Sequence, residues 1–214
     1  IGLTYNKMAI TINNDTSLHE AAHCFVAYLA SDFFVLEFVT ADSAISRTQD
    51  ATSLGGIKGK LSKDGESLET LEYDLMVLIS LAGMAADDIN HTNGVIHDGI
   101  YDNKLFIDNL RSNKYSGDRD TMLPSLQRLN PSWKVNQREY TISCQKLLHN
   151  WFTTEPTKSI LFGLRELIDN SPNKTVSGTI INSFLNENGL NEWKSKNWDA
   201  ISNERLKMFN QSNI

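Results

Sequence analysis

The sequence predicts a mainly α fold of the α+β class, a helical domain with a small β-sheet beside its first helix. Three observations predict it. Apolar residues return at helical spacing over Leu71, Leu75, Leu78, Ile79, Ala82, Ala85, Ala86 and Ile89. The run Phe33 to Thr40 is rich in β-branched and aromatic residues and reads as a buried strand. The glycine-interrupted stretch Leu54 to Leu61 reads as an edge strand able to pair with it.

The elements follow in order. Residues 17–30 form an apolar helix, with Asp15 or Thr16 as its N-cap. Ser17 and Glu20 also have capping-box spacing, but a catalytic Glu20 cannot serve the cap as well. Asp42 to Ser53 is a polar loop and Lys63 to Glu66 a turn. The longest helix runs from Leu68 to Asn90. Asn93-Gly94 and Asp98-Gly99 mark a loop, with a short helix at Phe106 to Leu110. Gly117 to Leu129 is helical in phase, although Pro124 should bend or break it. Helices over Asn136 to Phe152 and Lys158 to Asp169 come next, then a short helix over Thr175 to Leu185 with Thr175 as its cap. From Asn186 to Ile214 the chain is polar and Asn-rich, with Trp193 and Trp198 as the large anchors. No repeat or Pro/Gly linker divides the chain. The expected organisation is one domain over residues 1–185, with residues 186–214 as a C-terminal extension packed on it or trailing from it.

Composition removes several functions. A chain of 214 residues with 40% apolar residues can bury a sizeable core. The net charge of −6, without a basic stripe, argues against nucleic acid as a partner. The apolar stretches Ala21 to Ala30 and Leu75 to Ala86 fall short of the ~20 residues that span a bilayer. Cys24 and Cys144 make no disulfide framework, and Cys24 reads as a buried thiol. A reducing, cytoplasmic setting is expected, with no secretory signal pattern and with an anchor upstream of Ile1 left open. A homo-oligomer also stays open.

The chemistry concentrates in His19-Glu20-Ala21-Ala22-His23. Two histidines four apart share one helix face, with Cβ atoms ~5–6 Å apart. Each can offer one nitrogen to the same Zn²⁺. Glu20, one residue on from His19, projects to the side of the metal and can take a proton from a water there. The plain alternative is an amphipathic helix with two satisfied histidines. A catalytic zinc needs a third protein ligand. The extended form with a third histidine is absent, because Val26 and Leu29 occupy its Gly and His positions. His91, His97 and His149 read as ordinary surface or core residues.

The order of elements resembles the peptidase domain of the FtsH-type AAA zinc metalloproteases. That family runs H-E-x-G-H, a strand, an edge strand with L-G-Y, a helix reading L-G-G-R-A-A-E-E, then G-A-x-x-D. This chain gives His19-Glu20-Ala21-Ala22-His23, then Leu54-Gly55-Gly56, then Leu81-Ala82-Gly83-Met84-Ala85-Ala86-Asp87-Asp88, then Ser116-Gly117-Asp118-Arg119-Asp120. The likeness spans about residues 11–185. Ala22 stands where the family has Gly, Met84 where it has Arg, and the G-A-x-x-D spacing is not kept. The nucleotide-binding pattern G-x-x-x-x-G-K-[ST] does not occur in the sequence.

The resemblance implies a zincin-like domain in which an Asp from the last segment is the third zinc ligand. Two are available. From Asp118, the helix-face positions Met122, Leu126 and Leu129 are apolar, so phase selects Asp118. Asp120 keeps the family's residue count better if Gly117 replaces the Ala. The small residues Ala82, Gly83, Ala85 and Ala86 allow close approach to another helix, expected to be the metal helix. Asp87 or Asp88 can support a ligating imidazole. Gly55 and Gly56 suit an exposed strand edge onto which an extended peptide adds as a further strand, or else a simple bulge. The implied activity is that of a zinc-dependent endopeptidase acting without ATP on peptides or unfolded protein segments. The alternative is a non-catalytic zincin-like binding or regulatory module.

Overall fold

The computed structural model describes residues 15–43, 55–62, 64–91, 111, 115–129 and 137–210. Seven α-helices among them are α1 (Thr16–Leu29), α2 (Thr70–His91), α3 (Ser116–Leu129), α4 (Gln137–Thr153), α5 (Thr157–Asp169), α6 (Gly178–Glu187) and α7 (Leu190–Asn210). The strands are β1 (Phe34–Thr40), β2 (Gly56–Leu61) and β3 (Thr175–Ser177). The fold is mainly α with a small antiparallel sheet. The expected Phe106–Leu110 helix, the Asn93-Gly94 and Asp98-Gly99 loop, His97 and most of the 42–53 loop lie outside the described residues.

Helix α1 sits at the centre. Asp15 caps it, its carboxylate accepting from Leu18 N at 3.0 Å, which leaves Glu20 out of the cap. Almost every side chain from Ser17 to Leu29 is buried, so this helix has no solvent face to speak of. It packs against α2, α5, α6 and β1. The small residues Ala82, Ala85 and Ala86 of α2 are fully buried and let the two helix backbones come close. A helix buried all round in this way fixes the direction of each of its polar side chains through its neighbours.

The sheet order is β2-β1-β3, with both pairings antiparallel. Phe34 faces Leu61 and Thr40 faces Gly56, with an irregularity between Leu36 and Phe38. Among the described residues β2 is therefore an outer strand, and its first residue lies at the α1 end of the sheet. The third strand was expected as helix. Thr175 to Ser177 pairs with Thr40 to Phe38 instead, and Ser177 rather than Thr175 caps α6 by accepting from Ile180 N. Pairing with a strand 135 positions away in sequence overrides the local helical pattern.

Two further differences concern α3 and the C-terminal stretch. Helix α3 runs through Pro124 without interruption. Proline there costs the bond to the carbonyl of Asp120, which lies on the exposed side. The polar stretch after residue 186 forms α7. The helix α6 crosses position 185, and α7 packs back on the core through Leu190, Trp193 and Arg205. Trp193 meets Phe25 of α1 at 6.4 Å and Trp151 of α4 at 5.8 Å between ring centroids. Arg205 is buried and clasps Asp74 of α2 through two bonds, 2.6 and 2.8 Å, while Tyr140 donates to the same carboxylate at 2.5 Å. This polar anchor sits in an apolar stripe, Leu190, Trp193, Trp198, Ile201 and Met208, that recurs at helical spacing and packs on the core. No helix among the described residues is long and apolar enough to cross a membrane.

Candidate metal centre

Three elements converge on one point: α1 brings His19 and His23, and α3 brings Asp118, while α2 lies beneath. The Nε2 atoms of His19 and His23 are 3.1 Å apart. Asp118 Oδ2 is 3.4 Å from His19 Nε2, and its Oδ1 is 3.4 Å from His23 Nε2. Asp118 is turned in by the same phase that buries Met122, Leu126 and Leu129. Asp120 stays outside, 69% exposed and 3.6 Å from Arg119. His149 does not join the cluster and lies 3.7 Å from Asp88.

The second nitrogen of each imidazole is fixed from behind. His23 Nδ1 lies 2.6 Å from the backbone carbonyl of Ile79, an oxygen that can only accept, so Nδ1 carries the proton. His19 Nδ1 faces Asp87 Oδ2 at 3.3 Å. That carboxylate is itself held by the Tyr115 hydroxyl, which donates to Oδ2 at 2.8 Å. In the neutral tautomers so fixed, both rings turn Nε2 towards the same space. Of the two acids offered by the sequence, Asp87 supports the ligand histidine. Asp88 turns the other way, accepting from Gln145 at 2.9 Å.

Two nitrogen lone pairs and a carboxylate facing one another repel unless a positive charge sits among them. Nε2 of His19, Nε2 of His23 and one carboxylate oxygen of Asp118 all lie within 4.8 Å of one another, a donor set that could hold one divalent metal ion. Without a metal, that positive charge falls to protons on the rings. Burial alone would lower the histidine pKa values, but Asp118, joined at His19 by Asp87, raises both. Burial would raise that of Asp118, but the two imidazoles outweigh it and hold its carboxyl below the usual range. Each group favours its partner's charge.

Gly83 of α2 makes the convergence possible. A Cβ on it would meet Nε2 of both histidines, so the backbone of α2 forms the floor of the centre. Glu20 lies beside it, 4% exposed. Burial is the largest influence on Glu20 and pushes its carboxyl up to about 7, against the lowering effect of the two histidines. Its Oε2 is buried with no hydrogen-bond partner among the described residues. Its Oε1 lies where a Cβ on Gly55 would come within 2.6 Å. Gly55 thus packs directly on the carboxylate, and Gly56 opens β2. The side chains of His19 and Asp118 keep 16% and 24% of their surface exposed, which opens the centre to solvent on that side.

Sequence reasoning did not single out Tyr115, the Ile79 carbonyl or the contact of Gly83 with the two rings. The first had one signal, its place directly before Ser116-Gly117-Asp118. The others depend on contacts between distant segments. The chain matches no protein-family model and no curated protein.

Proposed function

We propose that the chain is a zinc metallopeptidase that hydrolyses peptides or unfolded protein segments. One observation carries the reading. His19, His23 and Asp118 converge, and beside them stands Glu20, a buried carboxylate with one oxygen that has no partner among the described residues. A purely structural site would be closed and usually rich in cysteine, whereas this one offers three ligands and an open side. A bound zinc would supply Lewis acidity, polarising a peptide carbonyl and bringing the pKa of a water towards ~7.

The residues of the chain do the rest. Glu20 accepts a proton from the attacking water on its carboxylate and delivers it to the nitrogen of the leaving amine. One water is consumed, the C–N bond breaks, and a carboxylate and an amine form. Asp87 and the Ile79 carbonyl hold the imidazoles so that Nε2 points forward. The buried setting of Glu20 keeps bulk water from competing for its proton. Strand β2, with Gly56 at its start, offers a backbone edge on which an extended peptide can be held through main-chain bonds. Such bonds are indifferent to sequence, which suits a substrate that is unfolded rather than one of fixed sequence. The order of motifs, which resembles that of the FtsH peptidase domain, supports the same activity.

Metal analysis of the purified protein, together with cleavage of casein by wild type and Glu20→Gln, tests this. The expected result is zinc at one per chain in both proteins, with ATP-independent cleavage by wild type alone. A wild type unable to take up a transition metal would end the reading. Equal residual cleavage by the two proteins on many unfolded substrates would favour a non-catalytic binding module.

A further inference from the structure

Tyr115 stands immediately before α3, the helix that delivers Asp118, and is 3% exposed. Its hydroxyl donates to Asp87 Oδ2. That same oxygen is the one facing His19 Nδ1. Its ring lies nearly parallel to the His19 imidazole, 15° from coplanar, with centroids 6.1 Å apart. So one side chain touches both the histidine and the acid that orients it, and its backbone adjoins the helix of the third ligand.

We propose that Tyr115 is a positioning residue of the metal centre, one that locks Asp87 against His19 and ties that support to the helix carrying Asp118. The proposal rests on the metallopeptidase reading above. Its physical basis is the shared oxygen. Rotation of the carboxylate about its terminal bond would release Nδ1. A second, buried donor on the same oxygen removes that freedom, and the buried hydroxyl needs the acceptor as much as the carboxylate needs the donor. The ring blocks the imidazole from swinging towards Tyr115. Because Tyr115 and Ser116 are neighbours in the chain, displacement of the start of α3 withdraws Asp118 and loosens His19 together. The supports of His19 and Asp118 are therefore linked through one residue.

The test is a double-mutant cycle read by zinc affinity, measured against a chromophoric chelator, and by the visible spectrum of the cobalt-substituted protein. Tyr115→Phe keeps the ring and removes only the hydroxyl. Asp87→Asn keeps the shape of the acid and removes its charge. Outer partners of a ligating histidine are typically worth ~10–100-fold in metal affinity. Tyr115→Phe is expected to weaken zinc binding ~10-fold and to shift the cobalt bands, as a ligand geometry change would and a loss of distant packing would not. Because Tyr115 acts through Asp87, the double variant should bind zinc within about twofold of Asp87→Asn alone. Losses that multiply in the double variant, or a Tyr115→Phe protein that binds zinc like wild type, overturn the proposal while leaving the metallopeptidase reading intact. A wild type that takes up no zinc overturns both.

Discussion

A Cβ placed on Gly83 would stand 2.5 Å from Nε2 of His23. Glycine at this position is a condition for the two helices to meet at the ligand atoms, since α2 passes directly under the rings that α1 presents. Gly83→Ala adds one methyl group at the place where the donor atoms converge. The added atom must push either the imidazoles or the α2 backbone aside, an overpacking that typically costs ~1–3 kcal/mol. Zinc affinity should fall by more than ~100-fold, beyond what loss of an outer partner does. Chelator competition reads the affinity and thermal unfolding of the metal-free protein reads the strain. Unchanged zinc affinity would show that the metal lies away from this floor.

Asp118 and Asp120 differ in what they face. Asp118 lies within 3.4 Å of both rings, and Asp120 pairs at the surface with Arg119. Asp118→Asn removes a negative charge and a ligand oxygen from the centre, so zinc affinity should drop by ~100-fold or more, whereas Asp120→Asn should leave it within about twofold. Titration of both variants with zinc decides between them. A larger loss at Asp120 would mean that α3 turns when metal binds.

Arg205 carries the C-terminal helix. It is buried against Asp74, whose carboxylate also receives Tyr140. Removing one partner of a buried pair leaves the other charge without compensation, which typically costs ~3–5 kcal/mol. Arg205→Ala should lower the unfolding temperature strongly and leave zinc affinity at low temperature unchanged, because the pair is remote from the centre in the contacts it makes. Thermal unfolding and zinc titration on the same sample check both halves. A change in unfolding temperature of under a degree or two would show that α7 is not integral to the folded domain.

These residues also mark what can be read from the chain. The histidine pair is legible because a single helix fixes its spacing. The inward turn of Asp118 is legible because its own helix carries Met122, Leu126 and Leu129 in phase with it. Helix α7 is legible only through Leu190, Trp193, Trp198, Ile201 and Met208, which recur at helical spacing within an otherwise polar stretch that the buried Arg205 interrupts. Strand β3 is not, since three residues carry too little pattern and their pairing partner lies on β1. The support of His19 by Asp87 and Tyr115 joins three segments far apart in sequence, and only their packing shows which of Asp87 and Asp88 faces the ring.

A change at Gly55 would separate the proposed catalysis from the proposed metal binding. It touches Glu20 and not the ligands: a Cβ there would stand 2.6 Å from Glu20 Oε1 and 2.8 Å from Thr16 Cγ2. Gly55→Ala must displace the carboxylate, because Thr16 on the other side is fixed in the first turn of α1. Glu20 would then reach the water from a changed position, and a base moved by about an ångström can lose ~10²-fold in rate. The expected outcome is cleavage of casein reduced by about that factor, with zinc affinity and unfolding temperature close to wild type. Combining it with Glu20→Gln should cost no more than Glu20→Gln alone, since both changes act on the same proton transfer. The decisive measurement is kcat for a fluorogenic unfolded substrate at saturating zinc. A fall confined to KM would place Gly55 in peptide binding along β2 rather than behind the carboxylate.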